Sequence, residues 1–134
     1  MLGIRFIKPS ALGITGGRLT PCPAKQNCVC SQDTDAAHQV DPLQFTGSTS
    51  DAKARLEKAI ARLPRHKVIT ETDNYLHLEF TSQIMRFVDD VEFLIDEPNH
   101  VIHIRSAARI GYSDMGVNRN RVEAIRTALE VEGM

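Results

Sequence analysis

The chain has 134 residues, a length that fits one domain and leaves little room for a second. Its 16 lysines and arginines nearly balance its 17 aspartates and glutamates, and the formal charge of -1 gives no general attraction to nucleic acid or to an anionic membrane. No apolar run approaches the roughly 18 residues that a membrane span needs, and the apolar run at the start, which Arg5 and Lys8 interrupt, is shorter than a secretory signal needs. The sequence therefore predicts a cytoplasmic protein with no membrane span and no nucleic-acid partner.

Residues 1–50 are rich in Gly, Pro, Ser and Thr, a composition typical of loops and turns. They predict an extended arm that wraps over a core formed by residues 51–134. Two short strands are predicted within the arm, at residues 2–7 and 38–40.

All three cysteines lie within residues 21–30, where two prolines and an asparagine predict an irregular surface segment. Cys22 and Cys28 are sterically suited to a disulfide, either structural or redox-active, although a reducing cytoplasm disfavours the bond. A zinc site that adds His38 is arithmetically conceivable, but the spacing matches no known Cys-x2-Cys knuckle, and we predict no metal. The alternative is a packed loop in which the thiols act as small apolar side chains.

The first helix is predicted at residues 51–63, where apolar side chains recur on one helical stripe. Ser50 or Asp51 is the predicted N-cap, because short polar side chains bond the free amides of the first turn. Pro64 ends the helix, since proline lacks the amide that would continue it.

Two hairpins follow, with strands predicted at residues 67–72 and 75–82, and at 88–96 and 101–107. The four-residue loop of the second hairpin sets a register that pairs Ile95 with Ile102, Phe93 with Ile104, and Glu92 with Arg105. Alternation in these strands predicts a sheet with one apolar, covered face and one polar face.

His77, Glu79 and His103 are predicted to share the polar face of this sheet. That face is then solvated, covered by the N-terminal arm, or part of a ligand groove. The sequence leaves these three alternatives open.

The last helix is predicted at residues 118–131, with Asn118 as its cap. Helix, four strands and helix in this order favour an α+β fold in a single domain. We expect an antiparallel sheet of about four or five strands with two helices packed on one face and an extended N-terminal arm.

Two polar motifs lie among the strand-forming residues of the C-terminal half. One is Phe-Val-Asp-Asp-Val-Glu-Phe, directly after Arg86, and the other runs from Arg105 as Arg-Ser-Ala-Ala-Arg-Ile-Gly-Tyr-Ser-Asp-Met-Gly-Val-Asn-Arg. Together with the Pro-Cys-Pro segment at Cys22, these motifs resemble the domain-of-unknown-function family numbered 1499, over about residues 12–129. The resemblance implies no transferable activity. The chain departs from the family's pattern at Cys30 and Ala108, where serine is more usual, which weakens a three-cysteine metal site as a family property.

Charged residues of both signs make a ligand site the first functional hypothesis. Arginine forks match carboxylates and phosphates, so we predict a small anionic ligand, unless the neighbouring acids already occupy the arginines in a structural network. The ligand-binding candidates are Arg86, Asp89, Asp90, Glu92, Arg105, Arg109, Tyr112, Asp114, Asn118 and Arg119. The sequence assigns no cofactor.

The alternatives are an enzyme and an interaction domain. An enzyme would use Asp89 or Asp90 as a general acid or base, or Ser106 or Ser113 as a nucleophile beside His103. A thiol redox protein would use the Cys22 and Cys28 pair instead. An interaction domain would reach a protein partner through the arm or through a sheet edge.

Overall fold

The computed structural model describes residues 12–111 and 113–134. Two helices cover one face of an antiparallel sheet, which confirms the predicted α+β class. The helices are α1 (Thr49–Ala61) and α2 (Val117–Val131), and the strands are β1 (Ile14–Thr15), β2 (Arg18–Leu19), β3 (Cys28–Cys30), β4 (Leu43–Gln44), β5 (His66–Glu71), β6 (Tyr75–Thr81), β7 (Val88–Asp96) and β8 (Val101–Ala108).

The sheet contains more strands than the four or five expected, because the N-terminal segment joins it. Within the described residues it has six strands in the order β3-β8-β7-β6-β5, with β4 also paired to β8. Cys30 lies opposite Arg105, and Leu43 lies opposite Ile102. These two short strands satisfy backbone groups of β8 that an open sheet edge would leave unpaired.

Neither of the two strands predicted in the N-terminal arm coincides with β3 or β4. The prediction at residues 38–40 is wrong, because Gln39 forms only an isolated bridge to Cys30. The prediction at residues 2–7 lies outside the described residues. The division into an arm and a core within a single domain stays a prediction for the whole chain.

The hairpin predictions are confirmed to within one residue at the strand ends. The register of β7 and β8 pairs Ile95 with Ile102, Phe93 with Ile104, and Glu92 with Arg105, as predicted. The four-residue connection between the strands decided this register, since a slip of one residue would move every apolar side chain to the other face.

The predicted caps of α1 are wrong, because the helix begins two residues earlier than expected. Ser48 is the N-cap, and its side-chain oxygen accepts a hydrogen bond from the amide of Asp51 at 3.1 Å. Ser50 and Asp51 lie inside the first turn. Ser48 has an extended backbone and lies three residues before Asp51, whose amide has no acceptor within the helix. This geometry suits an N-cap better than that of Ser50 or Asp51.

The predicted cap of α2 is also wrong. The helix begins at Val117 after Gly116, whose φ of +84° suits glycine and places it at the N-cap. Asn118 therefore lies in the first turn and is fully buried. The carboxylate of Asp114 accepts from the amides of Gly116 at 2.9 Å and Asn118 at 3.0 Å, and so replaces the missing side-chain cap.

The main core lies between the helices and the sheet. Leu56 and Ile60 of α1 and Val122 and Ile125 of α2 join the apolar side chains of β6, β7 and β8, such as Phe93. On the opposite face, Leu19 packs with Cys30 and Leu94, with Cys22 and Tyr75 beside them. Part of that face is thus covered by the short β1–β2 hairpin. Among the described residues, neither helix has the length and apolar character that crossing a membrane requires.

Candidate functional site

The polar face of the sheet, opposite the helices, collects four of the ten predicted ligand-binding residues, Asp90, Glu92, Arg105 and Arg109. Cross-strand pairing aligns His77 with Glu92 and Arg105 in one row, and Glu79 with Asp90 in the next. Because side chains alternate along a strand, these residues point away from the core that holds Val91 and Phe93. The polar face thus contains charges of both signs.

Asp90 is the centre of a buried network on this face. Its Oδ2 lies 2.8 Å from Arg109 Nε, and its Oδ1 lies 2.8 Å from both Arg109 Nη2 and His77 Nε2. Arg109 also donates to Glu79 Oε2 at 2.6 Å. Burial opposes the charged form of Asp90, but the hydrogen bonds from Arg109 and His77 outweigh it and hold its pKa below the usual value. Arg109 is therefore occupied by two carboxylates.

Glu92 and Arg105 form a second, fully buried pair. Glu92 Oε1 lies 3.6 Å from Arg105 Nη1, while Oε2 accepts from the hydroxyl of Tyr75 and from the amide of Gly13 at 2.7 Å. Glu92 Oε1 and Arg105 Nε have no hydrogen-bond partner in the described part of the chain. Burial and the bond to Glu92 raise the pKa of Tyr75. An external anion cannot reach Arg105 without displacing the residues that cover it.

Asp89 points to the helix side of the sheet, away from Asp90. Its Oδ2 lies 2.6 Å from Nη1 of Arg121, which also stacks over the ring of Phe80 at 5.1 Å. Burial raises the pKa of Asp89, and the attraction of Arg121 is too weak to offset this effect. The two neighbouring aspartates consequently have opposite pKa shifts. Arg121 was missed from the predicted set, although its position three residues after Asn118 places both on one side of the helix.

Ser106, Asn118 and Asp114 form a third network at the start of α2. Ser106 Oγ donates to Asn118 Oδ1 at 2.6 Å, and Asn118 Nδ2 donates to Asp114 Oδ2 at 2.6 Å. Arg119 lies outside this network and donates to the carbonyls of Gln39 at 2.9 Å and Ala37 at 3.2 Å. Ser106 is therefore on the helix side and is not brought to His103. Tyr112 lies outside the described residues.

Arg86 differs from the other predicted arginines. It is exposed in the turn between β6 and β7, at a φ of +60°, and it forms no hydrogen bond or ion pair with a described residue. Ile84, Met85 and Phe87 beside it are exposed as well. Arg86 thus presents a guanidinium next to apolar side chains.

Cys22 and Cys28 form a disulfide, and Cys30 remains a buried free thiol whose pKa is raised, chiefly by burial. The disulfide excludes the conceivable zinc site, because two of its thiols are bonded to each other. His38 is bonded through both ring nitrogens, to Asp35 Oδ2 at 2.6 Å and to the carbonyl of Lys25 at 2.7 Å.

The structure brings His103 to partners that the sequence did not indicate. His103 Nδ1 lies 3.3 Å from Ser31 Oγ, and its Nε2 lies 3.2 Å from Asp96 Oδ2. Ser31 is 72 positions away in sequence, so no local pattern could have joined it to His103. Asp96 was predictable in part, because a diagonal neighbour on the same face of a hairpin lies within reach.

The family model for DUF1499, described as a protein of unknown function, matches residues 18–129. The chain belongs to the DUF1499 family. The match includes both polar motifs and both bonded cysteines, which confirms the resemblance seen in the sequence. Comparison with curated proteins gave no match. Membership in DUF1499 brings no reaction or ligand with it, so function has to be argued from the geometry.

Proposed function

We propose that this DUF1499 domain is a protein-interaction domain that binds an acidic segment carrying apolar side chains. The binding surface is formed by residues 82–87 and 113–117, which we call the loop-end surface. The observation that carries the proposal is that Arg86 is exposed, has no bonded partner among the described residues, and lies beside exposed large apolar side chains.

The arginines inside the predicted cluster favour a structural role over anion binding. Arg109 is held by Asp90 and Glu79, and Arg105 is buried against Glu92. An incoming anion would compete with carboxylates that are already desolvated and in place, and an unpaired buried carboxylate costs several kcal/mol. The buried cluster thus stiffens the sheet beneath the loop-end surface.

Strand register supports the view that the two parts of the loop-end surface lie at one end of the sheet. The 82–87 turn joins β6 to β7 next to the pair Thr81 and Val88. Strand β8 ends opposite Asp89, at Ala108, and leads into residues 113–117. The amide of Arg109 also bonds the carbonyl of Val88 at 3.2 Å. Both segments therefore leave the sheet at the same end of its strands.

The loop-end surface concentrates exposed apolar side chains. Five of the nine exposed large apolar residues in the described chain lie in it, and the fractions exposed reach 86% for Ile84, 62% for Met85 and 93% for Met115. Phe87 and Val117 complete the set. Such clusters mark interaction surfaces on soluble domains, and methionine adapts its shape to a partner.

The positive charge of Arg86 indicates the chemistry of the partner. Arg86 lies among the apolar side chains with no acid of the described chain bonded to it, and Arg65 is exposed at the neighbouring end of β5. A guanidinium beside apolar surface binds a carboxylate through two parallel hydrogen bonds. We therefore expect a segment in which an aspartate or glutamate adjoins leucine, phenylalanine or a similar side chain.

An edge of the sheet that no further strand covers among the described residues is a weaker candidate for the same role. Strand β5 is that edge, and Val68 and Ile69 are exposed on it. Its pairing with β6 shifts between Val68 and Thr70, and charged Lys67 and Glu71 flank the irregularity. Bulges and charges of this kind discourage the addition of another strand.

A peptide-display selection tests the proposal. Random short peptides are selected on the wild-type protein, and the enriched peptides are then measured by titration against two double variants. Met85→Ser with Arg86→Gln should weaken binding at least about tenfold, because it removes an apolar contact and the carboxylate partner. Lys67→Gln with Val68→Ser alters exposed residues of β5 and should leave affinity unchanged.

Each outcome of the selection bears on the proposal. Enriched peptides should carry acidic and apolar residues together, and binding should weaken as salt is added. The proposal fails if no peptide is enriched, or if the β5 variant loses binding while the loop-end variant retains it. Sedimentation with anionic phospholipid vesicles is the companion measurement, and binding to vesicles in place of peptides would also overturn it.

The compartment in which this surface works bears on the partner. The cytoplasmic location stays a prediction. The Cys22–Cys28 disulfide argues against it, because such bonds persist mainly in oxidising compartments. Alkylation of the thiols in denaturant at the moment of cell lysis distinguishes a reducing from an oxidising compartment. Two modified cysteines in addition to Cys30 would support a reducing compartment, and protection of Cys22 and Cys28 an oxidising one.

A further inference from the structure

We propose that Ser31, His103 and Asp96 form a hydrolytic site for small carboxylic esters. The site lies at the β7–β8 turn, at the opposite end of β7 and β8 from the loop-end surface. It is independent of the proposed interaction with an acidic segment.

The hydrogen bonds of His103 orient its ring for proton transfer. Asp96 Oδ2 lies 3.2 Å from Nε2, so the ionised carboxylate accepts the Nε2 proton. The lone pair of Nδ1 then faces Ser31 Oγ at 3.3 Å and can accept its proton. A carboxylate that fixes the tautomer of a histidine beside a serine is the arrangement that activates a hydroxyl as a nucleophile.

Asp96 is suited to remain ionised in this role. The side-chain amide of Asn99 donates to its Oδ2 at 2.8 Å. Hydrogen bonds from Asn99 and His103 lower the pKa of Asp96 against a small opposing effect of burial. The carboxylate is therefore available to hold His103 at neutral pH.

The backbone supplies a donor to the nucleophile. The amide of Ile104 donates to Ser31 Oγ at 2.9 Å, while the amide of Ser31 donates to the carbonyl of Ile104. This pair fixes the position of Ser31 against β8. The hydrogen bond from the Ile104 amide also stabilises the negative charge that develops on Ser31 Oγ as the hydroxyl proton moves to His103.

A cleft of about 440 Å³ opens over these three side chains. Gly17 and Arg18 of the β1–β2 hairpin line it together with Gln32. Arg18 is held there by a hydrogen bond from Nη2 to the carbonyl of Gln32 at 2.8 Å. Its guanidinium is the group that can stabilise the oxyanion of an ester bound in the cleft.

The reaction balances with water as the only co-reactant. Ser31 Oγ forms a bond to the ester carbonyl carbon as its proton passes to His103 Nδ1, and the ester carbon–oxygen bond then breaks. His103 returns the proton to the leaving alkoxide, which departs as the alcohol. Water next adds to the acyl-serine through the same base, and the acid leaves as Ser31 regains its proton.

The same hydrogen bonds would also serve a purely structural purpose, since Ser31 extends the pairing between β3 and β8. Reactivity separates the two roles. A fluorophosphonate probe phosphonylates serines that a base activates, with loss of fluoride, and spares ordinary surface serines, whereas hydrolysis of p-nitrophenyl acetate reports turnover. Ser50, exposed on α1, provides the matched serine that should stay unlabelled.

The experiment compares fluorophosphonate labelling of the wild type with that of four variants. Ser31→Ala should abolish the adduct, and Ser50→Ala should leave it unchanged. His103→Gln preserves the Ser31 bond to Ile104 and should slow labelling at least about 100-fold by removing the base. Asp96→Asn should slow it and change its pH dependence, because Asp96 acts by positioning His103, and a loss of packing alone would not move the pH profile.

The proposal is supported if peptide mapping finds the adduct on Ser31 and the His103→Gln variant, folded by circular dichroism, is slow. It is overturned if the wild type is not labelled at Ser31. It is equally overturned if His103→Gln reacts at the wild-type rate, since Ser31 would then be an unassisted hydroxyl.

Discussion

Replacing Asp90 with asparagine should destabilise the protein, because Asp90 is the centre of the buried network on the polar face. The substitution keeps the shape of the side chain and removes its charge. Arg109 then loses its two-pronged bond to Asp90 and keeps Glu79, and His77 faces an amide instead of a carboxylate.

The structure sets the size of the expected effect. Asp90 is 2% exposed, so water cannot replace the lost interactions, and removing one member of a buried ion pair costs about 3–5 kcal/mol. The lower end applies because Glu79 still neutralises Arg109, and we expect a loss of about 3 kcal/mol in the free energy of unfolding. For 134 residues this corresponds to a fall of about 10 °C in the melting temperature.

The loss should also depend on pH in a definite direction. The pKa of Asp90 is lowered by folding, so its stabilisation is present above its unfolded pKa and disappears as the pH falls through the folded value. The difference in unfolding free energy between wild type and Asp90→Asn should therefore shrink in acid. The two proteins should approach equal stability at the acid end of the titration.

Urea unfolding followed by circular dichroism measures these differences, because the chain has no tryptophan to report by fluorescence. Asp73→Asn, in the exposed turn between β5 and β6, is the matched control and should stay within about 0.5 kcal/mol of the wild type. A loss below about 1 kcal/mol for Asp90→Asn, or one that does not shrink in acid, would refute the view that this network stabilises the fold.

Three further predictions concern Asp89, the Cys22–Cys28 disulfide and the N-cap of α1. Asp89→Asn should change the unfolding free energy by no more than about 1 kcal/mol, since its raised pKa means that ionised Asp89 contributes no stability at neutral pH, and Arg121 is near enough to solvent to be hydrated. Cys22→Ser with Cys28→Ser should cost about 2 kcal/mol for a bond with a sequence separation of 6, and reductant should lower the wild type equally. Ser48→Ala should cost about 1 kcal/mol in the same urea titration, because the first turn of α1 loses its cap.

Local patterns in the sequence determined the helices, the hairpins and the register of β7 on β8. Period, turn residues and loop length act over a few positions, so they fixed the pairing of Phe93 with Ile104 and the polar face that His77 and His103 share. The same locality explains the errors at the caps. Choosing Ser48 over Ser50 depends on which backbone turn actually forms, and several polar residues compete within one turn.

The tertiary structure decided everything that joins distant segments. Backbone pairing of the N-terminal segment to β8 added strands that no local alternation marked, because β3 and β4 are only three and two residues long. That pairing brings Ser31 to His103 across 72 positions, whereas the packing of α2 on the other face of the sheet brings Asn118 to Ser106. The sequence supplied the charges of the polar cluster, but their partners were settled by packing, since each buried charge binds whichever opposite charge the fold brings within reach.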